Sequence, residues 1–142
     1  MRQWIGLVLF GWTVPALAQA QGSIMVRLEN FRNDKGVCRV CLFNSDESFK
    51  RNLAVKCAVV SIKQHRTEAR FDGVAPGTYA LFVIHDENNN DRMDTNFFGI
   101  PKEGYGASLN RLPFAAAPTF EANKFIVPDK AVVELKIKLR NL

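Results

Sequence analysis

The feature that most constrains the fold of this chain is the alternation of apolar and charged side chains near its end, between residues 130 and 140. Successive strand residues point to opposite faces of a sheet, so a period of two predicts a strand with one buried face. The same pattern covers 23–30, and Gly, Pro and Asn turns separate further strand-like runs at 37–43, 54–62, 67–71 and 79–85.

These runs predict an all-β fold, a single immunoglobulin-like or transthyretin-like β-sandwich of about seven strands. The first two strands, joined by a turn at 33–36, are predicted to form a hairpin. Tyr79 follows a Gly/Pro corner, where its hydroxyl is expected to reach back to upstream backbone. One stretch, about 86–118, lacks strand periodicity and is too long for a plain connection, which indicates a functional or metal-ordered loop.

The first 20 residues have the composition of a secretory signal peptide. Arg2 precedes an apolar run at 4–14, and small residues end at Ala18 and Ala20. The run is too short to span a bilayer, so we expect cleavage after Ala20, with Ala18 as the alternative site. Residues 21–142 then form one exported domain, periplasmic or secreted from a bacterium and not membrane-spanning.

The charge of this domain is mildly basic. The whole sequence has 19 Lys and Arg residues, and removal of Arg2 leaves 18 against 14 acidic residues. Because the basic residues are scattered and not clustered with aromatic ones, the sequence gives little support for nucleic-acid binding.

The most distinctive polar motif begins at the last residue of the 79–85 run and extends from His85 to Asp94. Oxygen-bearing side chains at alternate positions give it the spacing of a calcium-binding loop. Calcium takes about six to eight oxygen ligands. The predicted ligands are Asp86, Asn88, Asn90, the Arg92 carbonyl and Asp94, with Glu103 or a water completing the shell.

Three other interpretations of this region remain open. The Asp and Asn side chains can instead cap their own backbone in a polar turn. A hydrolase could use His85 with Asp86 or Glu103, although Ser108 lies in no nucleophile-elbow motif and His85 continues an apolar strand face. A metal-handling protein could pair His85 with Met93.

The second half of the long loop mixes aromatic residues with glycines. Phe97, Phe98 and Tyr105 could form a small core that pins the loop, or line a groove for a peptide, glycan or lipid that Lys102 and Arg111 would flank.

Three cysteines in an exported domain predict one disulfide and one remaining thiol. Cys38 and Cys41 lie an odd number of positions apart in one strand and therefore face opposite sides, so Cys57 pairs with one of the two.

Several segments closely resemble the DUF2141 family of small exported bacterial proteins with no assigned function. They comprise Leu42-Phe43-Asn44, Pro76-Gly77-Thr78-Tyr79-Ala80, His85-Asp86-Glu87-Asn88, the run from Met93 to Gly106, and Pro118-Thr119-Phe120-Glu121. The resemblance implies a disulfide between Cys38 and Cys57, with Cys41 as a buried free thiol. It also places Asn89 and Asp91 where the family usually has glycine.

The sequence therefore predicts an exported, non-enzymatic binding or structural accessory module whose long loop holds a weak structural calcium ion. Its partner would be an unidentified protein, glycan or lipid.

Overall fold

The computed structural model describes residues 20–142. The predicted signal peptide, including Ala18, lies outside this range except for Ala20. Within it, no helix has the length and apolar character needed to cross a membrane.

Residues 20–142 form eight strands and two short helices, which confirms the all-β prediction. The strands are β1 (Gly22–Glu29), β2 (Val37–Phe43), β3 (Lys56–Val60), β4 (Arg66–Val74), β5 (Gly77–Asp86), β6 (Tyr105–Ala107), β7 (Phe125–Val127) and β8 (Val132–Lys138). The helices are α1 (Asp46–Lys50) and α2 (Phe120–Asn123).

The strands form two sheets that pack as a sandwich. One sheet has the order β4-β1-β8, with β1 antiparallel to β4 and parallel to β8. The other has the order β3-β2-β5-β6, and β7 pairs with the start of β5. The predicted β1–β2 hairpin is wrong, because β4 and β8 occupy both edges of β1 and the chain crosses to the other sheet at 30–36.

Between the sheets lies one apolar core, built from the inward-facing residues of both. Its members include Val26 of β1, Val40 of β2 and Leu81 of β5, each fully buried. Full burial of one such side chain stabilises the fold by about 1.5 to 3 kcal/mol. The alternation that predicted β8 is confirmed, since Ile137 and Leu139 are buried whereas Glu134, Lys136 and Lys138 are exposed.

β5 is the central strand of the second sheet and positions the loop that follows it. It hydrogen-bonds to β2 on one side and β6 on the other. At its start the Tyr79 hydroxyl donates to the Ala75 carbonyl over 2.8 Å, which confirms the predicted corner contact. The inward face of β5 ends on His85 and its outward face on Asp86.

The disulfide joins Cys41 to Cys57, so the predicted Cys38–Cys57 pairing is wrong. Cys41 and Cys57 are directly opposite in the β2–β3 register, with a Cα–Cα distance of 4.1 Å, whereas Cys38 is opposite Val60. Cys38 faces the core as the free thiol, and burial raises its pKa to about 12. The expectation that Cys38 and Cys41 face opposite sides holds.

Candidate functional site

The loop after β5 is organised by the Asp86 carboxylate, which is 0% exposed. Oδ2 accepts from Arg39 Nε at 2.8 Å and from the Asp91 amide at 2.9 Å. Oδ1 accepts from the Asn90 amide at 3.0 Å. One guanidinium and two backbone donors therefore satisfy this buried charge.

Electrostatics favour the ionised form of Asp86. Burial acts to raise the pKa of this carboxyl, but the Arg39 hydrogen bond and the two loop amides outweigh it, so the pKa lies below its usual value. The same hydrogen bond raises the pKa of Arg39, which also contacts the exposed Asp91 carboxylate.

A second carboxylate, Asp94, closes the loop from the other end. Asn88 Nδ2 donates to its Oδ2 at 2.6 Å, and Asn90 Nδ2 donates to its Oδ1 at 2.7 Å. The buried Glu103 joins both ends, because it accepts from the Glu87 amide and from the Asp94 amide, each at 3.0 Å.

The backbone of this loop is left-handed at the two positions where the family resemblance led us to expect glycine. Asn89 has φ 56° and Asp91 has φ 67°. Asn and Asp are the non-glycine residues that tolerate this region best, so both turns form without glycine.

Four of the predicted calcium ligands, Asp86, Asn88, Asn90 and Asp94, thus lie in one loop that is joined to Glu103. Side-chain oxygens of Asp86, Asn90 and Asp94 accept hydrogen bonds from protein donors. The arrangement is the self-capped turn, the alternative interpretation of the motif. Arg92 directs an exposed side chain to 3.9 Å from Asp94. Among residues 20–142, no group of three or more His, Cys, Asp or Glu side chains has the arrangement of a metal site. Calcium binding stays a prediction.

His85 lies beneath the loop and is 0% exposed. Its Nε2 donates to the Lys35 carbonyl at 2.9 Å, and the Phe31 ring packs edge-on against it at 5.2 Å. Nδ1 faces Glu87 Oε1 at 3.9 Å, and neither atom has a hydrogen-bond partner among the described residues. The ring is therefore enclosed by the fold.

The hydroxyl that the sequence offered as a nucleophile is used in packing. Ser108 Oγ accepts from the Leu81 amide at 3.0 Å and donates to the Asn123 carbonyl at 2.5 Å. Ser108 therefore ties the long loop to β5 and α2. Met93, the second residue of the predicted metal-handling pair, lines a groove on the outer face of the sheet, whereas His85 faces the core.

This groove has a volume of about 670 Å³ and a mostly apolar lining. Its floor includes Phe82 of β5 and Tyr105 of β6, which lie on the outer face of the second sheet. One wall is the 98–101 segment and the other is 114–118. The lining residues are Phe82, Met93, Phe98, Gly99, Ile100, Pro101, Tyr105, Phe114, Ala115, Ala116, Ala117, Pro118 and Leu142.

Three aromatic side chains in or beside the groove are largely exposed to solvent: Phe98 and Phe114 of the lining by 83% and 97%, and the adjacent Phe97 by 97%. Phe97 packs edge-on against Phe98, with ring centroids 5.6 Å apart. Phe97 and Phe98 therefore do not form the small buried core that was one of their two interpretations. Tyr105 is buried and contributes to the lining, whereas Lys102 and Arg111 are exposed beside the walls.

The wall that carries Phe97 and Phe98 is a tight turn continuous with the polar loop. Asn96 Oδ1 accepts from the amides of Phe98 and Ile100 at 2.9 and 3.0 Å. The Lys102 amide donates to the Asp94 carbonyl at 2.8 Å, which closes the turn onto the Asp86–Asp94 loop. The polar loop thus supports one wall of the groove.

The chain that leads into the other wall is held by Arg140, whose guanidinium donates to the Leu112 and Pro113 carbonyls at 2.9 and 2.7 Å. Sequence reasoning missed this contact, the Arg39 ion pair and the contribution of Phe114. The only available signal was the Phe-Ala-Ala-Ala-Pro run at 114–118, which is apolar and has no strand period.

Residues 20–142 define a class of protein, a two-sheet β-sandwich with an apolar groove on the outer face of one sheet. The chain belongs to the DUF2141 family, whose description is an uncharacterized protein conserved in bacteria, and residues 26–135 match it. No curated protein and no solved structure matches the chain.

Proposed function

We propose that this protein is an exported, non-enzymatic binding module that takes an apolar ligand in the groove between Phe98 and Phe114. The observation that carries the proposal is the exposure of these two rings, 83% and 97%, on two separate segments that line a mostly apolar groove. Exposed apolar patches bordered by polar residues commonly mark interaction sites. The ring of His85, the candidate base of the rival hydrolase hypothesis, is enclosed, which favours binding over catalysis.

Preorganisation of the walls supports the same proposal. Hydrogen bonds to Asn96 hold the turn with Phe98, and the Arg140 guanidinium holds the chain just before Phe114. Walls that are ordered before a ligand arrives lose little conformational entropy on binding.

The proposal is tested by titrating an uncharged apolar fluorophore, N-phenyl-1-naphthylamine, into the protein. We expect saturable binding that the double substitution Phe98→Ser, Phe114→Ser weakens by at least about tenfold, because each ring contributes apolar contact area. Val59→Ser is the matched control, since Val59 is 52% exposed and lies on β3 away from the groove lining. Equal affinity in all three proteins would contradict the proposal.

We also propose that the Asp86–Asp94 loop binds calcium weakly. Rotation of the Asn88 and Asn90 amides would turn their oxygens towards the position that their nitrogens now occupy beside Asp94. With two carboxylates in the predicted ligand set, the dissociation constant should lie at about 0.1 to 1 mM.

Thermal melting with millimolar calcium and with chelator tests this second proposal. We expect the melting temperature to rise with calcium in the unchanged protein and to stay constant in Asp94→Asn. Magnesium at the same concentration controls for ionic strength. If calcium does not change the melting temperature, the proposal of calcium binding is contradicted and the loop is a self-capped turn.

A further inference from the structure

We propose that the groove face docks onto an anionic lipid bilayer, with its exposed aromatic rings entering the interface and its cationic side chains facing the headgroups. This inference rests on the proposed function and specifies the partner as a lipid surface.

The apolar part of this face consists of side chains that project from two separate loops. Phe97, Phe98 and Ile100 lie on the 95–101 turn, and Phe114 lies on the 114–118 segment. Phe97 is 97% exposed and lies outside the groove lining. A small ligand or a peptide that fills the groove would leave the Phe97 ring in water, whereas a flat apolar interface covers it together with Phe98 and Phe114.

The exposed charged side chains of the segment that carries these rings are all basic. In the segment 92–118 they are Arg92, Lys102 and Arg111, and the exposed Asp91 that precedes the segment is paired with Arg39. Of the two acidic residues of the segment, Glu103 is buried, and Asp94 is only partly exposed and accepts hydrogen bonds from the two Asn amides. Cationic residues bordering an apolar face complement anionic lipid headgroups, each adding to surface affinity.

The same charges make a second copy of this chain a poor occupant. Docking two identical groove faces against each other would bring together two surfaces that both carry basic side chains, among them Lys102 and Arg111, and like charges repel. An anionic bilayer complements both the apolar side chains and the basic side chains of the face.

The test is co-sedimentation of the protein starting at Gln21, which contains the packed two-sheet domain without the apolar 4–14 run. Vesicles of phosphatidylcholine alone are compared with vesicles that also contain phosphatidylglycerol. We expect binding to the anionic vesicles to be at least about tenfold tighter at low salt. This difference in affinity should decrease at higher salt, which screens the charges of Arg92, Lys102 and Arg111.

Two variants separate the apolar and electrostatic contributions. Phe97→Ser should weaken binding to anionic vesicles by about tenfold or more, because it removes one inserted ring without touching the groove lining. Lys102→Gln with Arg111→Gln should abolish most of the preference for phosphatidylglycerol. Val59→Ser should bind as the unchanged protein does, and circular dichroism is used to check that each variant is folded.

Three outcomes would overturn the inference: no binding to anionic vesicles, equal binding to both compositions, or unchanged binding by Phe97→Ser. Binding of the apolar fluorophore without vesicle binding would overturn bilayer docking and leave the proposed groove function intact. Failure of both experiments would overturn both proposals. Self-association through this face, detected by sedimentation and abolished by Phe97→Ser, would replace the bilayer with a second copy.

Discussion

At the scale of single residues, Asp86 is the fully buried carboxylate of the polar loop. It is the last residue of β5 and carries a buried charge with three donors around it. Asp91 contacts the same Arg39 guanidinium, but its side chain is 75% exposed. The two carboxylates therefore form a natural pair for measuring what burial adds to one ion pair.

We predict that Asp86→Asn lowers the free energy of unfolding by about 1.5 to 3 kcal/mol, the usual cost of losing hydrogen bonds to a charged group. Asp91→Asn, which keeps a residue that tolerates left-handed backbone, should cost less than about 1 kcal/mol because exposed ion pairs contribute little. Urea denaturation of both variants measures the difference. Similar losses in the two variants would contradict this view of the loop.

The Asp86 pKa also predicts the direction of the pH dependence. Its folded-state pKa lies below the unfolded value of about 3.9, so its contribution is fully present above that pH and is lost as pH falls through the folded pKa. Below about pH 4, the free energy of unfolding should therefore fall less steeply with decreasing pH in Asp86→Asn than in the unchanged protein. An identical acid slope in both would show that Asp86 has no shifted pKa.

At the scale of elements, the β2–β3 pair shows what the sequence alone could not resolve. The sequence correctly predicted that Cys38 and Cys41 face opposite sides of β2, because side chains alternate between the two faces of a strand. The choice of partner for Cys57 depends on the register between two strands, and the register places Cys57 opposite Cys41. The family resemblance pointed to Cys38, which instead packs in the core.

We predict that Cys41→Ala lowers stability by about 3 kcal/mol, because the disulfide joins residues with a sequence separation of 16 and so restricts the conformational entropy of the unfolded chain. Reduction of the unchanged protein should have a similar effect, and reduction should have no further effect on Cys41→Ala. Cys38→Ala is the control, since it should leave one disulfide detectable by thiol counting. Loss of the disulfide in Cys38→Ala would contradict the observed pairing.

A contact at the free edge of β8 is also visible only in the structure. The Asn110 side chain donates to the Lys136 carbonyl at 2.9 Å and accepts from the Lys138 amide at 2.8 Å. One side chain thus makes the hydrogen bonds that a neighbouring strand would make. It pairs with a backbone carbonyl and a backbone amide that could otherwise pair with a strand of another chain.

At the scale of the whole molecule, sequence periodicity predicted the fold class but not the connections. Alternation in 23–30 and 130–140 correctly identifies which side chains of β1 and β8 face inward, because burial selects for it. It carries no information on which strands are neighbours. The hairpin prediction failed for this reason, since local turn signals at 33–36 are compatible with a crossing between sheets.

The candidate site was predictable to a similar degree. The Asp and Asn spacing located the loop that ends β5, and the aromatic run located one groove wall. Arg39 and Arg140 were not predictable, because each acts through tertiary contacts with residues distant along the chain. Phe114 was not predictable either, since its exposure depends on how the second wall is held.

The position of β1 has a further consequence for how the molecule assembles. β1 is the first strand along the chain, yet it is the middle strand of its sheet and pairs in parallel with β8, the last. Such pairing closes a loop of nearly the whole domain, and long-range contacts of this kind slow folding. During synthesis from the N-terminus, the apolar face of β1 stays incompletely covered until β8 has been made. In that interval the chain is most prone to aggregation.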